Sequence, residues 1–496
     1  MDCVITSKQD VLAIYKDDVR PWVIGFSGGK DSTAVCRLVF EALAELPPKE
    51  RTKPVFIVSS DTLVETPLVV NIIKDALAKM RQAAVELGLP IHVAAPVTPK
   101  VSETFWVNLI GKGYPAPTRQ FRWCTERMKI DPTSEFILDK VAAYGEVVVV
   151  LGSRIEESSS RAQVIRKHRM EGSRLGRHTS LPNAYVFTPI DQWSADDVWE
   201  YLFSGPAPWG GDHQELFDLY KGSNGGECPL VIDTSTPSCG NSRFGCWVCT
   251  VVTKDRAMDG LIETGNTWMI PLRDFRNELY ATTDPSRKHE FRSARRRDGS
   301  VTISIRRDDH GNALQEKHVP GPYKLEYRKY LLRQLLANQK LVNETNPGEL
   351  YELITRPELE QIRVEWRTDP NEPDWEDSVP TIYREVFGDA ERWHVNDDFI
   401  FNGNDAALIA QLCSEKRLPK QLLMKLLELE VSYGGHARRS NLQKDMADLL
   451  SRDWADDDQA ISSQSDWVKR ISSYDTQEQE LHKRYADIGK VIGDAS

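Results

Sequence analysis

An α/β architecture is what the sequence predicts: a parallel sheet with helices on its faces, followed by a Cys-rich metal-binding segment and a mainly helical C-terminal region. Three observations carry that prediction. Short apolar runs alternate with helix-length segments over the first 190 residues, a glycine turn joins the first run to the helix behind it, and four of the eight cysteines crowd into residues 228–249.

The strand candidates are "WVIGF", "VFIVSSD", "IHVAAP" and "EVVVVLGSR". Each ends in small or polar residues, and open α/β sheets bind ligands beyond the carboxyl ends of their strands. That rule gathers "SGGKDS", "SSDTLVET" and "GSRIEESSSRA" at one edge. The order of the strands is not readable from the sequence.

The turn "FSGGKDST", residues 26–33, leads a strand into a helix N-terminus. Backbone N–H groups and the helix dipole there favour an anion, so the turn reads as a phosphate site. It is not a Walker A loop, because Gly25 stands one residue too close to Gly29 and Lys30 is followed by Asp31. Nor is it a dinucleotide fingerprint, since Gly28 and Gly29 are adjacent. It offers two glycines for close backbone approach, Ser27 and Ser32 as hydroxyl donors, Lys30 as a point charge and Asp31 as a candidate Mg²⁺ ligand.

Residues 191–300 are rich in Trp, Gly and Cys, with loops such as "APWGGDHQ" and "FGCWVC" that a metal would hold together. Cys228, Cys239, Cys246 and Cys249 follow a C-x₁₀-C-x₆-C-x₂-C spacing that suits zinc and a [4Fe–4S] cluster equally. Residues 301–450 read as mainly helical, and 451–496 as a polar tail. Arg292, Arg295, Arg296, Arg297, Arg306 and Arg307 are candidates for DNA phosphate contact, with a solvated face as the alternative.

Acidic residues outnumber basic ones, 74 to 63, for a net charge of -11, which excludes a chain-wide basic field. The first residues, "MDCVITSKQDVLAIYKDD", carry acids where an export signal has an apolar core, and "VVVVL" is too short to span a bilayer. The expectation is a cytoplasmic protein without membrane contact. Cys124 in "RWCTERMK" is flanked by Arg119, Arg122, Arg127 and Lys129, cations that favour a thiolate. A small buried residue is the competing reading of Cys124. Cys36 and Cys413 read as core, and Cys3 as a bystander near the terminus.

The set "SGGKDST", "RWCTERMKIDP", "LGSRIEESSSRA" and "TPIDQWSADDVWEYL", in that order, resembles the adenylylsulfate and phosphoadenylylsulfate reductase branch of the ATP pyrophosphatases. The resemblance implies a sheet of the adenine nucleotide α-hydrolase type over residues 1–190 and cleavage of ATP between its α and β phosphates. It implies that Ser27, Gly28, Gly29, Lys30, Asp31 and Ser32 cradle pyrophosphate, that Asp61 and Thr62 meet adenosine, and that Arg154 and Arg161 face phosphate. Among these, Lys30, Asp31 and Arg154, together with Cys124, are the candidate catalytic residues. The resemblance also turns the cysteine set Cys228, Cys239, Cys246 and Cys249 towards a [4Fe–4S] cluster.

With that cysteine spacing and the long C-terminal extension, the chain is similar to the sulfurtransferases of bacterial DNA phosphorothioation. This implies DNA as substrate, a cysteine desulfurase as sulfur donor and other DNA phosphorothioation (Dnd) proteins as partners. A sulfonucleotide reductase, a tRNA thiolation enzyme and a non-catalytic nucleotide-binding iron–sulfur scaffold are the alternatives.

Overall fold

A computed structural model describes residues 2–474 apart from 158, 171–172, 224–244, 308–312, 347, 349, 370, 389–391, 395–402, 435–438, 455 and 472–473. Cys228 and Cys239 therefore lie outside the described residues. By its internal contacts the chain divides into two units. The first comprises Met1–Asn108, Ala116–Thr283 and Gln334–Glu358; the second comprises Leu109–Pro115, Asp284–Arg333 and Leu359–Ser496.

The first unit is built on a six-stranded sheet. Its strands are β1 (Trp22–Gly25), β2 (Val55–Val58), β3 (Ile91–Val93), β4 (Val147–Val150), β5 (Leu175–Arg177) and β6 (Ala184–Phe187). They stand in the order β3-β2-β1-β4-β6-β5, all pairs parallel except β5 with β6. The four expected strands are present, and β5 and β6 are additions. β1 and β4 are buried along their whole length, which suits the β-branched runs of a sheet covered on both faces.

Alternation along the strands divides the core. Trp22 and Ile24 of β1 and Val148 and Val150 of β4 share one layer with the helices α1 (Asp2–Asp17), α2 (Lys30–Glu45) and α3 (Pro67–Glu86). Cys36, buried in α2, belongs to this layer as expected. Val23, Val147 and Val149 pack on the other side with Ile137 of the helix Asp131–Tyr144.

The chain runs outward from β1 through β2 to β3, then returns to place β4 on the other flank of β1. β1 and β4 thus define the switch point, where loops leaving adjacent strands diverge and open a crevice. At that point the backbones nearly touch. A Cβ on Gly152, just after β4, would stand 2.8 Å from the carbonyl carbon of Asp31 and 3.0 Å from the Ser32 nitrogen.

The second unit carries a hairpin of β7 (Ile303–Arg307) and β8 (Ala313–His318) among helices that include Ser378–Phe387, Gly403–Lys416 and Lys420–Ser432. Its seven-residue strip Leu109–Pro115 is tied in by buried donors: Arg328 donates to the Gly111 carbonyl at 2.7 Å and to Asp369 at 2.9 Å, and the Trp366 indole donates to the Ile110 carbonyl at 2.8 Å. Two of the arginines considered for phosphate contact serve this interior. Arg292 donates to the carbonyls of Gly321 and Pro320, and burial lowers its pKa to about 10. Arg295 pairs with Asp457 at 2.9 Å and lies over the Trp454 ring. Arg297 and Arg306 are exposed, and the Arg307 side chain lies outside the described residues.

Gly152→Ala is expected to cost about 2 kcal/mol, because the new methyl has backbone and no flexible side chain to displace. Urea unfolding of the variant against the wild type measures it.

Candidate functional site

The loop after β1 gets its shape from its own residues. Gly28 sits at φ +74°, a conformation that favours glycine, and a Cβ there would stand 2.5 Å from Ile73 Cγ1. The hydroxyls of Ser27 and Ser32 lie 3.1 Å apart, and the Ser32 hydroxyl donates to the Gly29 carbonyl at 3.0 Å. The Gly29 N–H reaches back to Ser27 Oγ at 3.4 Å. This network fixes the turn and opens α2 directly at Lys30.

Three charges meet at the switch point. Asp31, 1% exposed, accepts from Lys30 Nζ at 2.9 Å on one oxygen and from Arg154 Nε at 2.7 Å on the other. Arg154, on the loop after β4, also donates to the Trp193 carbonyl at 3.3 Å and has Glu157 Oε1 at 3.9 Å. Lys30 and Arg154 are themselves buried. Ser27, Gly28, Gly29, Lys30, Asp31, Ser32 and Arg154 are therefore brought together as one cluster. Arg161 stands in the helix Ser159–His168, and its side chain lies outside the described residues.

Beyond β2, Asp61 accepts from the Leu63 N–H at 2.9 Å while Leu63 takes φ +63°. Burial, together with the nearby Glu65, raises the Asp61 pKa above the usual carboxylate range. Thr62, fully buried, bonds Glu65 at 2.9 Å and has its hydroxyl 3.4 Å from Cys246 Sγ. The two expected nucleotide-side residues thus adjoin the cysteine segment. Backbone pairing holds that junction: the Trp247 N–H donates to Val64 and the Thr66 N–H to Gly245, both at 3.0 Å.

Cys246 and Cys249 share a turn closed by the Cys249 N–H on the Cys246 carbonyl at 3.1 Å. Arg276, with no exposed surface, donates to the Cys249 carbonyl at 2.8 Å, to Thr253 at 2.9 Å and to Val252. Trp247, between the two cysteines, is buried against Trp106 and Phe275.

Cys124 lies in a helical stretch, Trp123–Thr125, that runs on into a π-helical segment Glu126–Ile130. A five-residue step along a π-helix brings residues onto one face. Lys129, five residues after Cys124, meets Glu65 at 3.4 Å, and Glu65 lies 3.9 Å from Cys246. Cys124 is near enough to Cys246 to disfavour its ionisation, though burial is the larger cause of the raised Cys246 pKa. Of the four cations flanking Cys124 in sequence, Arg127 bonds Glu103 and Asn108, and Lys129 pairs with Glu65. Cys413 is half-buried, and Cys3 lies 3.7 Å from Asp197.

As metal ligands, Cys246 and Cys249 have the spacing and the shared turn that a thiolate pair needs. Burial keeps Cys246 protonated on its own, so the positive charge of a bound metal is what would make it a ligand. Among the described residues no group of three or more Cys, His, Asp or Glu is arranged to hold a metal ion. Several elements of the site gave no signal in the sequence: Tyr220, which touches the glycine loop, Arg276, and the Glu65–Lys129 link. Gly152 did give one, as a glycine placed directly after a strand.

Residues 21–251 match the phosphoadenosine phosphosulfate reductase domain. Two uncharacterized proteins of Methanocaldococcus jannaschii are similar to it, one 28% identical over 41% of this chain and 36% of its own length, the other 24% identical over 50% and 47%. The chain thus spans less than half the length of these curated relatives. Among solved structures, a Candida glabrata FMN adenylyltransferase in complex with FAD and inorganic pyrophosphate is 12% identical, with a TM-score of 0.25 over 41% of this chain and 58% of that one. The U34-tRNA thiolase NcsA of Methanococcus maripaludis with its [4Fe–4S] cluster is 15% identical, with a TM-score of 0.25 over 44% and 73%. Among the described residues no helix is long and apolar enough to cross a membrane.

Two outcomes follow from these contacts. Replacing Arg276 with Met takes the donor from three carbonyls and the countercharge from the half-buried Asp255, for an expected loss of about 2 kcal/mol in urea unfolding. Asp61→Asn keeps an acceptor for Leu63 and removes a charge that burial disfavours. A carboxyl whose folded pKa is raised penalises the fold above that pKa, and the penalty fades as pH falls through it. The variant is therefore expected to melt higher than the wild type at pH 7, with a gap that closes on acidification.

Proposed function

We propose that the chain is an ATP-using sulfurtransferase that activates a phosphate oxygen of DNA by adenylylation and replaces it with sulfur, as in the DndC type of DNA phosphorothioation enzyme. The observation that carries this reading is the junction of two chemistries at one sheet edge: the Lys30–Asp31–Arg154 cluster on the glycine loop, and Cys246 against Thr62 one strand away. The match of residues 21–251 to a sulfonucleotide-processing domain supports it.

In the first step a non-bridging oxygen of the DNA phosphate attacks the α-phosphorus of ATP, and the bond to the β-phosphate oxygen breaks. Pyrophosphate leaves into the loop. Lys30 and the loop N–H groups stabilise the charge that grows on it, and Arg154 meets the phosphoryl oxygens. Asp31 orients both cations. Mg²⁺ arrives as the ATP chelate, and Asp31, both of whose oxygens already serve Arg154 and Lys30, offers it no free oxygen in this arrangement.

In the second step the terminal sulfur of a Cys124 persulfide, charged by a cysteine desulfurase, attacks the activated phosphorus and AMP leaves. An external thiol then attacks Cys124 Sγ, which breaks the sulfur–sulfur bond, releases the phosphorothioate and leaves a mixed disulfide; a second thiol frees Cys124 and the two external thiols end as their disulfide. Cys246 and Cys249, with Cys228 and Cys239, are the residues that would hold a [4Fe–4S] cluster. When bound, such a cluster supplies thiolate-ligated iron able to bind and polarise sulfur. The mainly helical C-terminal region, residues 301–450, is the proposed docking region for other Dnd proteins.

A second reading, a sulfonucleotide reductase, is favoured by the description of the matching domain. Anaerobically purified protein separates the two. Release of AMP and pyrophosphate from ATP, raised by DNA and reduced about 100-fold or more in Lys30→Ala, together with iron and sulfide in the same sample, is the expected result. Intact ATP alongside sulfite formed from phosphoadenylylsulfate would overturn it, and stimulation by tRNA in place of DNA would identify a tRNA thiolation enzyme. Binding of nucleotide and partners without any turnover would identify a scaffold.

A further inference from the structure

The glycine loop is already occupied by the protein itself. The Lys30 N–H, at the first turn of α2, donates to the hydroxyl of Tyr220 at 3.2 Å. That hydroxyl lies so close to the loop that a Cβ on Gly29 would stand 3.1 Å from it. The Lys30 ammonium sits 5.4 Å from the centre of the Tyr220 ring and is folded back onto Asp31 at 2.9 Å. Tyr220 comes from the helix Gln214–Ser223, some 190 residues along the chain, and is 8% exposed.

An N–H at a helix N-terminus and an adjacent ammonium are the two groups with which such a loop takes hold of a phosphate oxygen. Here a phenol oxygen accepts from the first, and a carboxylate and an aromatic face neutralise the second. We propose that Tyr220 is a tethered stand-in for the phosphate: its hydroxyl occupies the position of a phosphoryl oxygen in the nucleotide-free protein and must leave when pyrophosphate or the tail of ATP enters. The inference rests on the reading of the loop as a pyrophosphate site.

The ring has its own support. It packs edge-on to Trp199 at 5.3 Å, so Tyr220→Phe keeps the packing and removes only the hydroxyl. A ligand that no longer has to break the Lys30 N–H bond gains what that bond was worth, a tightening of about five-fold for a net neutral hydrogen bond.

Calorimetric titration of the full chain with inorganic pyrophosphate tests this in four proteins: wild type, Tyr220→Phe, Lys30→Ala, and the double variant. Tighter binding in Tyr220→Phe, with binding abolished by Lys30→Ala in both backgrounds, is the expected pattern. Weaker binding in Tyr220→Phe would make Tyr220 a phosphate ligand and overturn the proposal. Unchanged affinity with a lower melting temperature would make its hydroxyl a packing contact only, again overturning it. Pyrophosphate bound by neither wild type nor Tyr220→Phe, or bound undiminished in Lys30→Ala, would remove the loop as the anion site and the stand-in with it.

Discussion

The carboxylate of Asp31 holds the site together. It lies out of water between Lys30 and Arg154, one oxygen to each. Burying a charge is costly unless its partners are close and well aligned, and here one partner precedes Asp31 in the same helix while the other arrives on the loop after a different strand. The loops after β1 and β4 must therefore converge. Their convergence is what leaves no space for a side chain at 152, so a glycine is the backbone's answer to an electrostatic requirement. The strand order makes it possible, since only neighbours at the switch point deliver their loops to the same place.

The thiol side is fastened by a different logic. Backbone bridges from Val64 and Thr66 hold the segment around Cys246, and Arg276 gathers the carbonyls that follow Cys249. Neither device depends on the cysteines' own side chains. The turn that presents the thiols is shaped by the surrounding fold, while their ionisation is left to whatever they bind, as the suppressed ionisation of Cys246 indicates.

What the sequence revealed followed from local chemistry. β1 to β4 were legible because β-branched runs bounded by turns are a property of the segment itself, and the loop was legible because Lys, Asp and two hydroxyls stand together within a few residues. β6 was not, since "AYVF" is short and lies among polar residues, and β5 is a three-residue strand that exists only through its antiparallel pairing with β6. Two members of the arginine run show a related limit. Charge is visible in a sequence, but Arg292 and Arg295 spend theirs on carbonyls and on Asp457, partners up to 162 residues away. Cys124 illustrates the same limit, with two of its neighbouring cations held by Glu65 and Glu103. Tyr220 was invisible altogether, because nothing in "FDLYKGS" points to a loop so far back along the chain.

The first unit also includes Gln334–Glu358, well after its last strand. The indole of Trp106, itself without exposed surface, donates to the Leu353 carbonyl at 2.7 Å, and Tyr351 stacks on Trp268 at 5.2 Å. A ribosome adding roughly 5–20 residues per second delivers Leu353 on the order of tens of seconds after Trp106. From the synthesis of β6 until Leu353 follows, the nascent sheet has all its strands while Trp106 still lacks its acceptor. The growing chain thus carries an indole donor and the Trp268 ring whose partners, Leu353 and Tyr351, are supplied by a late-made segment.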